Sequence, residues 1–105
     1  MADNTKLAHT VFFTLKDKSL EKQQRLIKAC HKYLKPQPGV VFFAAGTREG
    51  ELAREVNDHD FDVTLMILFE SRAAHDRYQD DETHDVFIAE QRDNWEQVRV
   101  FDTRV

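Results

Sequence analysis

One apolar stretch, residues 61–71 (FDVTLMILFES), constrains the fold of this chain more than any other segment. Its β-branched and aromatic residues are typical of a β-strand, and acidic residues bound the apolar run. The odd-numbered positions form one apolar face, and Thr64, Met66 and Leu68 form the other. A strand with two apolar faces lies in the middle of a sheet that is covered on both sides. We therefore predict a central strand here.

Three further segments have apolar patterns of β-strands. In the first of them, LAHTVFFTL, His9 is the one polar residue on an otherwise apolar face. The charged segment 48–60 predicts a surface connection, with a mouth or lid of a site as the alternative. We expect the three strands over residues 7–15, 40–47 and 97–103.

Two helical regions separate these strands. Ser19 and Ser71 are good N-caps, and Pro36 ends the first helix. The apolar stripe of this helix includes Cys30, which predicts a buried structural thiol rather than a nucleophile. The second region is interrupted by the acidic segment QDDETHD. We expect helices over residues 20–35 and 71–78, with a further helical piece from Val86 to Trp95.

The element order β-α-β-β-α-β is that of the split βαβ arrangement in ferredoxin-like folds. The chain is thus predicted to be a single α+β domain over residues 1–105, with a four-stranded antiparallel sheet and flexible residues 1–6. Two helices cover only one face of such a sheet. A second copy is the simplest cover for the other, so we predict a homodimer that joins two sheets into an α+β barrel. The apolar residues on that face are Phe12, Val41 or Phe42, Met66 and Leu68.

Charge and composition exclude several classes of protein. Residues 53–105 carry six basic and fourteen acidic side chains, which argues against nucleic-acid binding. No apolar run has the length of a membrane span, and the N-terminus lacks a signal-peptide pattern, so we expect a cytoplasmic protein without membrane contact. The three glycines form no nucleotide-binding loop, and the acids around His84 lack a metal-site spacing. We therefore predict neither a cofactor nor a metal.

His9 and His84 are the polar residues that most need an explanation. A neutral imidazole can exchange a proton near pH 7, which suits enolisation beside a carbonyl group. Tyr78 precedes His84 by six residues, so a broken helix would let its hydroxyl hold the substrate oxygen while His84 moves the proton. Asp102 is placed to orient an imidazole. Apolar walls of the pocket would come from Phe13, Phe87 and Trp95.

Structural roles are the alternative for each of these residues. His9 is equally explained as a core histidine, and His84 as a helix-terminal residue that a neighbouring carboxylate holds. Tyr78 and Trp95 are also typical packing residues. The remaining histidines lie in polar surroundings and are predicted to face solvent; they are His31, His59 and His75.

The chain resembles the stress responsive A/B barrel domain (Dabb) family, in the dimeric α+β barrel group, from about Leu7 to Thr103. The matching segments are AHTVFFTLKD, PQPGVVFF, the strand end FES, YQDDETH, HDVF with the later NW, and the closing VFD. Around the second helix the family pattern is Tyr followed by His-Pro-x-His. Tyr78 and His84 match its first and last positions, whereas Asp81 and Glu82 replace the first His and the Pro.

The resemblance implies more about fold than about activity, because most members have no assigned reaction. One member, a plant polyketide cyclase, promotes an aldol condensation with a His/Tyr pair. By resemblance this pair falls on His84 and Tyr78, as catalytic residues. Chemistry that needs both histidines of the family pattern is not implied. Further pocket positions fall on His9, Phe87, Trp95 and Asp102.

Three functions are compatible with these patterns. The first is an uncharacterised barrel that binds a small apolar or aromatic ligand between sheet and helices. The second is a cofactor-independent cyclase, lyase or isomerase in which His84 and Tyr78 transfer a proton at a carbonyl compound. The third is a structural oligomer with a filled interior. An open cavity where Tyr78 and His84 converge would favour the second.

Overall fold

A four-stranded antiparallel sheet is the scaffold of the protein in the computed structural model, which describes residues 5–105. The bounds of β1 and β2 agree with the prediction, and β3 is shorter by two residues at each end. The sheet order is β2-β3-β1-β4, so the predicted central position of the third strand is confirmed. The strands are β1 Leu7–Leu15, β2 Val40–Thr47, β3 Val63–Phe69 and β4 Trp95–Arg104.

Three helices cover one face of the sheet. Ser19 caps the first by accepting a hydrogen bond from the Lys22 N–H, and Ser71 caps the second in the same way. Asp81 has an extended backbone conformation that separates the second helix from the third. The element order is therefore β-α-β-β-α-α-β, a ferredoxin-like α+β fold. The helices are α1 Leu20–Ala29, continued by a π-helical turn Cys30–Leu34, then α2 Arg72–Asp80 and α3 Glu82–Gln91.

The hydrophobic core lies between the helices and one face of β1 and β3. Alternate residues of these strands are buried, as period-two patterns require. The core includes Phe13 and Leu15 of β1, Leu65 and Phe69 of β3, and Cys30 from the π-helical turn. Burial raises the pKa of the Cys30 thiol to about 12, so it remains protonated at neutral pH. The prediction of a structural thiol is confirmed.

The opposite face of the sheet has no covering layer within residues 5–105. Phe42, Met66 and Phe101 lie there and are each about half exposed. Phe12 shares this face and packs edge-to-face against Phe101, with ring centroids 5.7 Å apart. The helices thus leave an apolar face open, as the sequence predicts.

Several predicted bounds differ from the structure. The last helical piece was expected from Val86 to Trp95, but α3 runs from Glu82 to Gln91, so part of the acidic segment is helical. Trp95 is instead the first residue of β4, which was expected over residues 97–103. Trp95 continues the apolar spacing of the helix because it packs onto the same core, although it lies in a strand. Flexibility was predicted for residues 1–6: residues 1–4 lie outside the described part, and Lys6 exchanges two backbone hydrogen bonds with Val105. Among the described helices, none combines the length and apolarity of a membrane span.

Candidate functional site

A cavity of about 340 Å³ lies between the sheet and helices α2 and α3. Its walls are largely apolar, and a group of polar side chains occupies one part of the lining. The structure brings all seven predicted site residues to this cavity, namely His9, Phe13, Tyr78, His84, Phe87, Trp95 and Asp102.

Strands β1 and β4 place His9 beside Asp102. The two residues are direct partners in the antiparallel pairing of these strands, so their side chains project from the same face of the sheet. The His9 Nδ1 and Asp102 Oδ1 atoms lie 2.6 Å apart, which is a short charge-assisted hydrogen bond. Burial lowers the pKa of His9, and the bond to Asp102 only partly offsets that effect. Asp102 therefore orients the imidazole of His9.

Tyr78 and His84 meet across the junction of α2 and α3. Tyr78 lies in the last turns of α2, His84 lies in the first turn of α3, and their ring centroids are 4.7 Å apart at an angle of 68°. The junction forms because Asp81 ends one helix and caps the next, accepting a hydrogen bond from the Thr83 N–H. The predicted break in the helix is what allows both side chains to face one cavity.

The surroundings of Tyr78 and His84 determine their protonation states. Burial raises the pKa of Tyr78, so its hydroxyl stays protonated and remains a hydrogen-bond donor. Burial also lowers the pKa of His84, which is neutral at pH 7. The Nδ1 atom of His84 is buried and has no hydrogen-bond partner within residues 5–105. The carboxylates of Asp85 and Asp81 act on His84 through charge, without a hydrogen bond to its Nδ1 atom.

His75 also lines the cavity, contrary to the prediction that it faces solvent. Its side chain is only 13% exposed, and its ring centroid lies 5.2 Å from that of His9. The polar residues around it in the sequence suggested exposure, but they lie on the other faces of α2. His75 precedes Tyr78 by three residues, a spacing that places both on one helix face. This spacing is the signal that identifies His75.

Aromatic side chains form the far wall of the cavity. The Trp95 ring packs against Phe13, with centroids 5.0 Å apart, and against Phe87, with centroids 5.8 Å apart. Val98 and Val100 of β4 extend the apolar lining. These two valines were missed as site residues because an alternating strand pattern does not show which face borders a cavity.

The fold and this cavity define a ferredoxin-like α+β domain with a small-molecule-sized chamber between its sheet and helices. Residues 7–105 match the stress responsive A/B barrel domain family, so the chain belongs to that family. A Dabb family protein with a ferredoxin-like fold from Mesorhizobium loti is similar, with 25% identity and a TM-score of 0.78 over 94% of this chain and 95% of that one. Among curated proteins, none matches this sequence significantly.

More distant solved structures share the fold alone. A dimeric ferredoxin-like protein of unknown function from Thermobifida fusca has 15% identity and a TM-score of 0.81, covering 100% of this chain and 95% of its own. The hydroxynitrile lyase from Passiflora edulis has 19% identity and a TM-score of 0.78, covering 98% and 95%. The same fold therefore occurs in an enzyme and in proteins without an assigned reaction.

Proposed function

We propose that this protein binds a small apolar or aromatic molecule that carries a carbonyl or hydroxyl group. The observation that supports this proposal is the cavity of about 340 Å³, whose apolar walls end in a polar group of side chains. Such a combination is typical of ligand sites, where apolar contacts supply affinity and a few polar groups fix orientation. The aromatic wall around Trp95 suits a flat ring.

The polar end of the cavity orients the ligand in this proposal. Tyr78 donates a hydrogen bond from its hydroxyl, which burial keeps protonated. His84 meets the ligand through Nε2, because its Nδ1 atom is buried. A ligand with an oxygen at one end and a ring at the other satisfies both parts of the cavity.

A thermal-shift screen tests this binding site. Wild type, His84→Ala and the matched control His59→Ala are compared with aromatic, phenolic and β-keto compounds. His59 is exposed and lies away from the cavity lining. We expect a ligand to raise the melting temperature of wild type and His59→Ala, because binding to the native state stabilises it, and to have a reduced effect on His84→Ala. No shift in wild type with any compound would refute the proposal.

A second candidate function is cofactor-independent proton transfer at a carbonyl compound. The contact between Tyr78 and His84 favours it, since a protonated phenol and a neutral imidazole face the same cavity. His84 would take the proton from the carbon next to the carbonyl, and Tyr78 would stabilise the enolate oxygen that forms. The proton would then return to carbon, or the enolate would react further. The fold likeness to a hydroxynitrile lyase shows that this scaffold accommodates an enzyme.

Hydrogen isotope exchange distinguishes the proposed proton-transfer activity from ligand binding alone. A β-keto compound that stabilises the protein is incubated with it in D₂O, and deuterium at the α-carbon is followed by NMR. The enzyme hypothesis predicts exchange above the buffer rate that falls at least tenfold in His84→Gln and in Tyr78→Phe. If the compound binds but its exchange is not accelerated, ligand binding without catalysis remains the proposed function.

We also propose that two copies associate through the open sheet face. The exposed apolar residues there, Phe42, Met66 and Phe101, favour burial at about 25 cal/mol per Å² of apolar surface. Structures of dimeric ferredoxin-like proteins from Thermobifida fusca and Jannaschia share the fold. The cavity lies on the helix side of the sheet, so each copy keeps its own site. A cytoplasmic location and the absence of nucleic-acid and membrane partners stay predictions of the sequence.

A further inference from the structure

We propose that His9, His75 and Asp102 form a binding site for a divalent transition-metal ion. One potential ligand atom from each residue lies within 4.8 Å of the other two. The three side chains come from β1, α2 and β4, so the tertiary structure alone brings them together. Two imidazoles and one carboxylate are a ligand set that proteins use for Zn²⁺ and for Fe²⁺.

Binding of an ion requires the three side chains to adjust around it. Zinc with ligands at roughly 2.0–2.1 Å in tetrahedral geometry separates its ligand atoms by roughly 3.3–3.4 Å. The His9 and Asp102 atoms lie closer than this, at 2.6 Å, because a proton now joins them. A metal ion would displace that proton and move the two atoms apart. The third potential ligand atom, on His75, lies within 4.8 Å of the other two and would have to move closer to them.

Asp76 and Arg72 orient the His75 imidazole. Histidines that bind metals are commonly oriented in this way by hydrogen-bonded residues that do not themselves touch the metal. The Asp76 carboxylate lies 3.0 Å from His75 Nδ1, and Arg72 donates a hydrogen bond to the same carboxylate over 2.8 Å. With its Nδ1–H donated to Asp76, the imidazole has its lone pair on Nε2, the nitrogen free to bind a metal. A carboxylate behind a histidine ligand also raises its basicity.

The surroundings leave room for a fourth ligand. His9, His75 and Asp102 all border the cavity, so water or the bound molecule can complete the coordination. His9 is buried, whereas the Asp102 side chain is 42% exposed, which provides a path for the ion. The hydrogen bond between His9 and Asp102 explains two of these residues without a metal. That hydrogen bond does not explain why the His75 side chain also lies close to the same two residues.

Cobalt titration tests the site independently of the proposed ligand. Untagged protein is treated with EDTA, dialysed and titrated with Co²⁺ alone, and the visible absorption that reports coordination is recorded. We expect saturable binding in the micromolar range that Zn²⁺ displaces. His75→Ala should abolish it, and Asp102→Asn, which keeps the shape of the side chain, should weaken it at least tenfold. The exposed-histidine controls His31→Ala and His59→Ala should bind as wild type does.

Two results would overturn the proposal. One is the absence of saturable Co²⁺ absorption and of any Zn²⁺-induced rise in melting temperature in wild type at millimolar metal. The other is equal Co²⁺ affinity in wild type and in folded Asp102→Asn, whose fold circular dichroism verifies. If His75→Ala does not fold, Asp102→Asn alone decides. The aromatic-ligand screen is run on EDTA-treated protein, so its outcome does not depend on this site.

Discussion

At the scale of single residues, two of the imidazoles that border the cavity, those of His9 and His84, have different electrostatic surroundings. His9 is hydrogen-bonded to a carboxylate, whereas His84 has a buried nitrogen without a partner within residues 5–105. Around His84, the carboxylates of Asp81 and Asp85 favour its protonation, and His9 and His75 oppose it. Desolvation is the largest effect, so the folded protein holds His84 neutral.

The stability of the protein should therefore decrease on acidification, partly because of His84. Its folded-state pKa lies below the ordinary value near 6.5, so between the two values the unfolded chain binds more protons than the native protein. The contribution of His84 to stability is fully present above pH 6.5 and is lost as the pH decreases through this window. Chemical denaturation from pH 7.5 to 5 should show a shallower loss for His84→Gln than for wild type. Equal slopes would contradict this, and His59→Gln should follow wild type.

At the scale of elements, close packing fixes where β2 begins relative to α2. Gly39, just before β2, has a φ of +86°, a conformation that side chains rarely adopt. A Cβ at this position would lie 2.5 Å from the Cβ of Ala74 in α2. The Gly39 carbonyl also accepts a hydrogen bond from the Glu70 N–H, at the end of β3. The positive φ and the close approach to Ala74 thus explain why a glycine precedes the second strand.

Substitution of Gly39 should destabilise the protein more than substitution of another loop glycine. Gly39→Ala combines a left-handed backbone, which costs about 1–2 kcal/mol, with overpacking against Ala74, which costs about 1–3 kcal/mol. In the control Gly50→Ala the nearest other atom is a terminal nitrogen of Arg48 at 3.7 Å, so little change is expected. Urea denaturation measures both. A Gly39→Ala protein as stable as wild type would disprove the packing argument.

The junction between α2 and α3 is a second example at this scale. Asp81 and Glu82 stand where the family pattern has His-Pro, yet a helix still begins there. Asp81 is the N-cap, and Glu82 places a negative charge at the positive end of the helix. The helix of this chain thus has a capped acidic start, and His84 lies in its first turn.

At the scale of the whole molecule, the sheet has one face covered by helices and one face open. An exposed apolar face of this kind is a common interaction surface. The cavity and the open face lie on opposite sides of the sheet, so the proposed association and the proposed ligand binding would use separate surfaces. A variant can therefore alter one without directly touching the other.

A lysine on the open face should prevent association. Met66→Lys places a charge at the centre of the face, and its matched control Val86→Lys changes a residue of equal exposure, 49% against 48%, on helix α3. Light scattering after size exclusion should give wild type and Val86→Lys twice the chain mass of 12.3 kDa, and Met66→Lys that mass alone. A wild type that stays monomeric at high micromolar concentration would contradict the proposed dimer.

The sequence by itself determined the local elements. Period-two apolar patterns located β1 and β2 to the residue, Ser19 and Ser71 marked helix starts, and the acidic segment marked the helix break, because these features depend on neighbouring residues. The chemistry of single polar and aromatic side chains, together with the family resemblance, indicated seven of the residues that line the cavity. Trp95 was assigned to the wrong element, since its apolar spacing does not distinguish a helix from a strand on the same core.

Only the tertiary structure decided which distant side chains meet. His9 and Asp102 are separated by 93 positions in the chain, and their bond depends on β1 and β4 being neighbours in register. His75 lies among polar residues, and its burial depends on which face of α2 packs on the sheet. Such contacts arise from the global arrangement of strands and helices, which packs the apolar residues of distant segments into one core. Local patterns determine the elements, whereas their packing assembles the cavity.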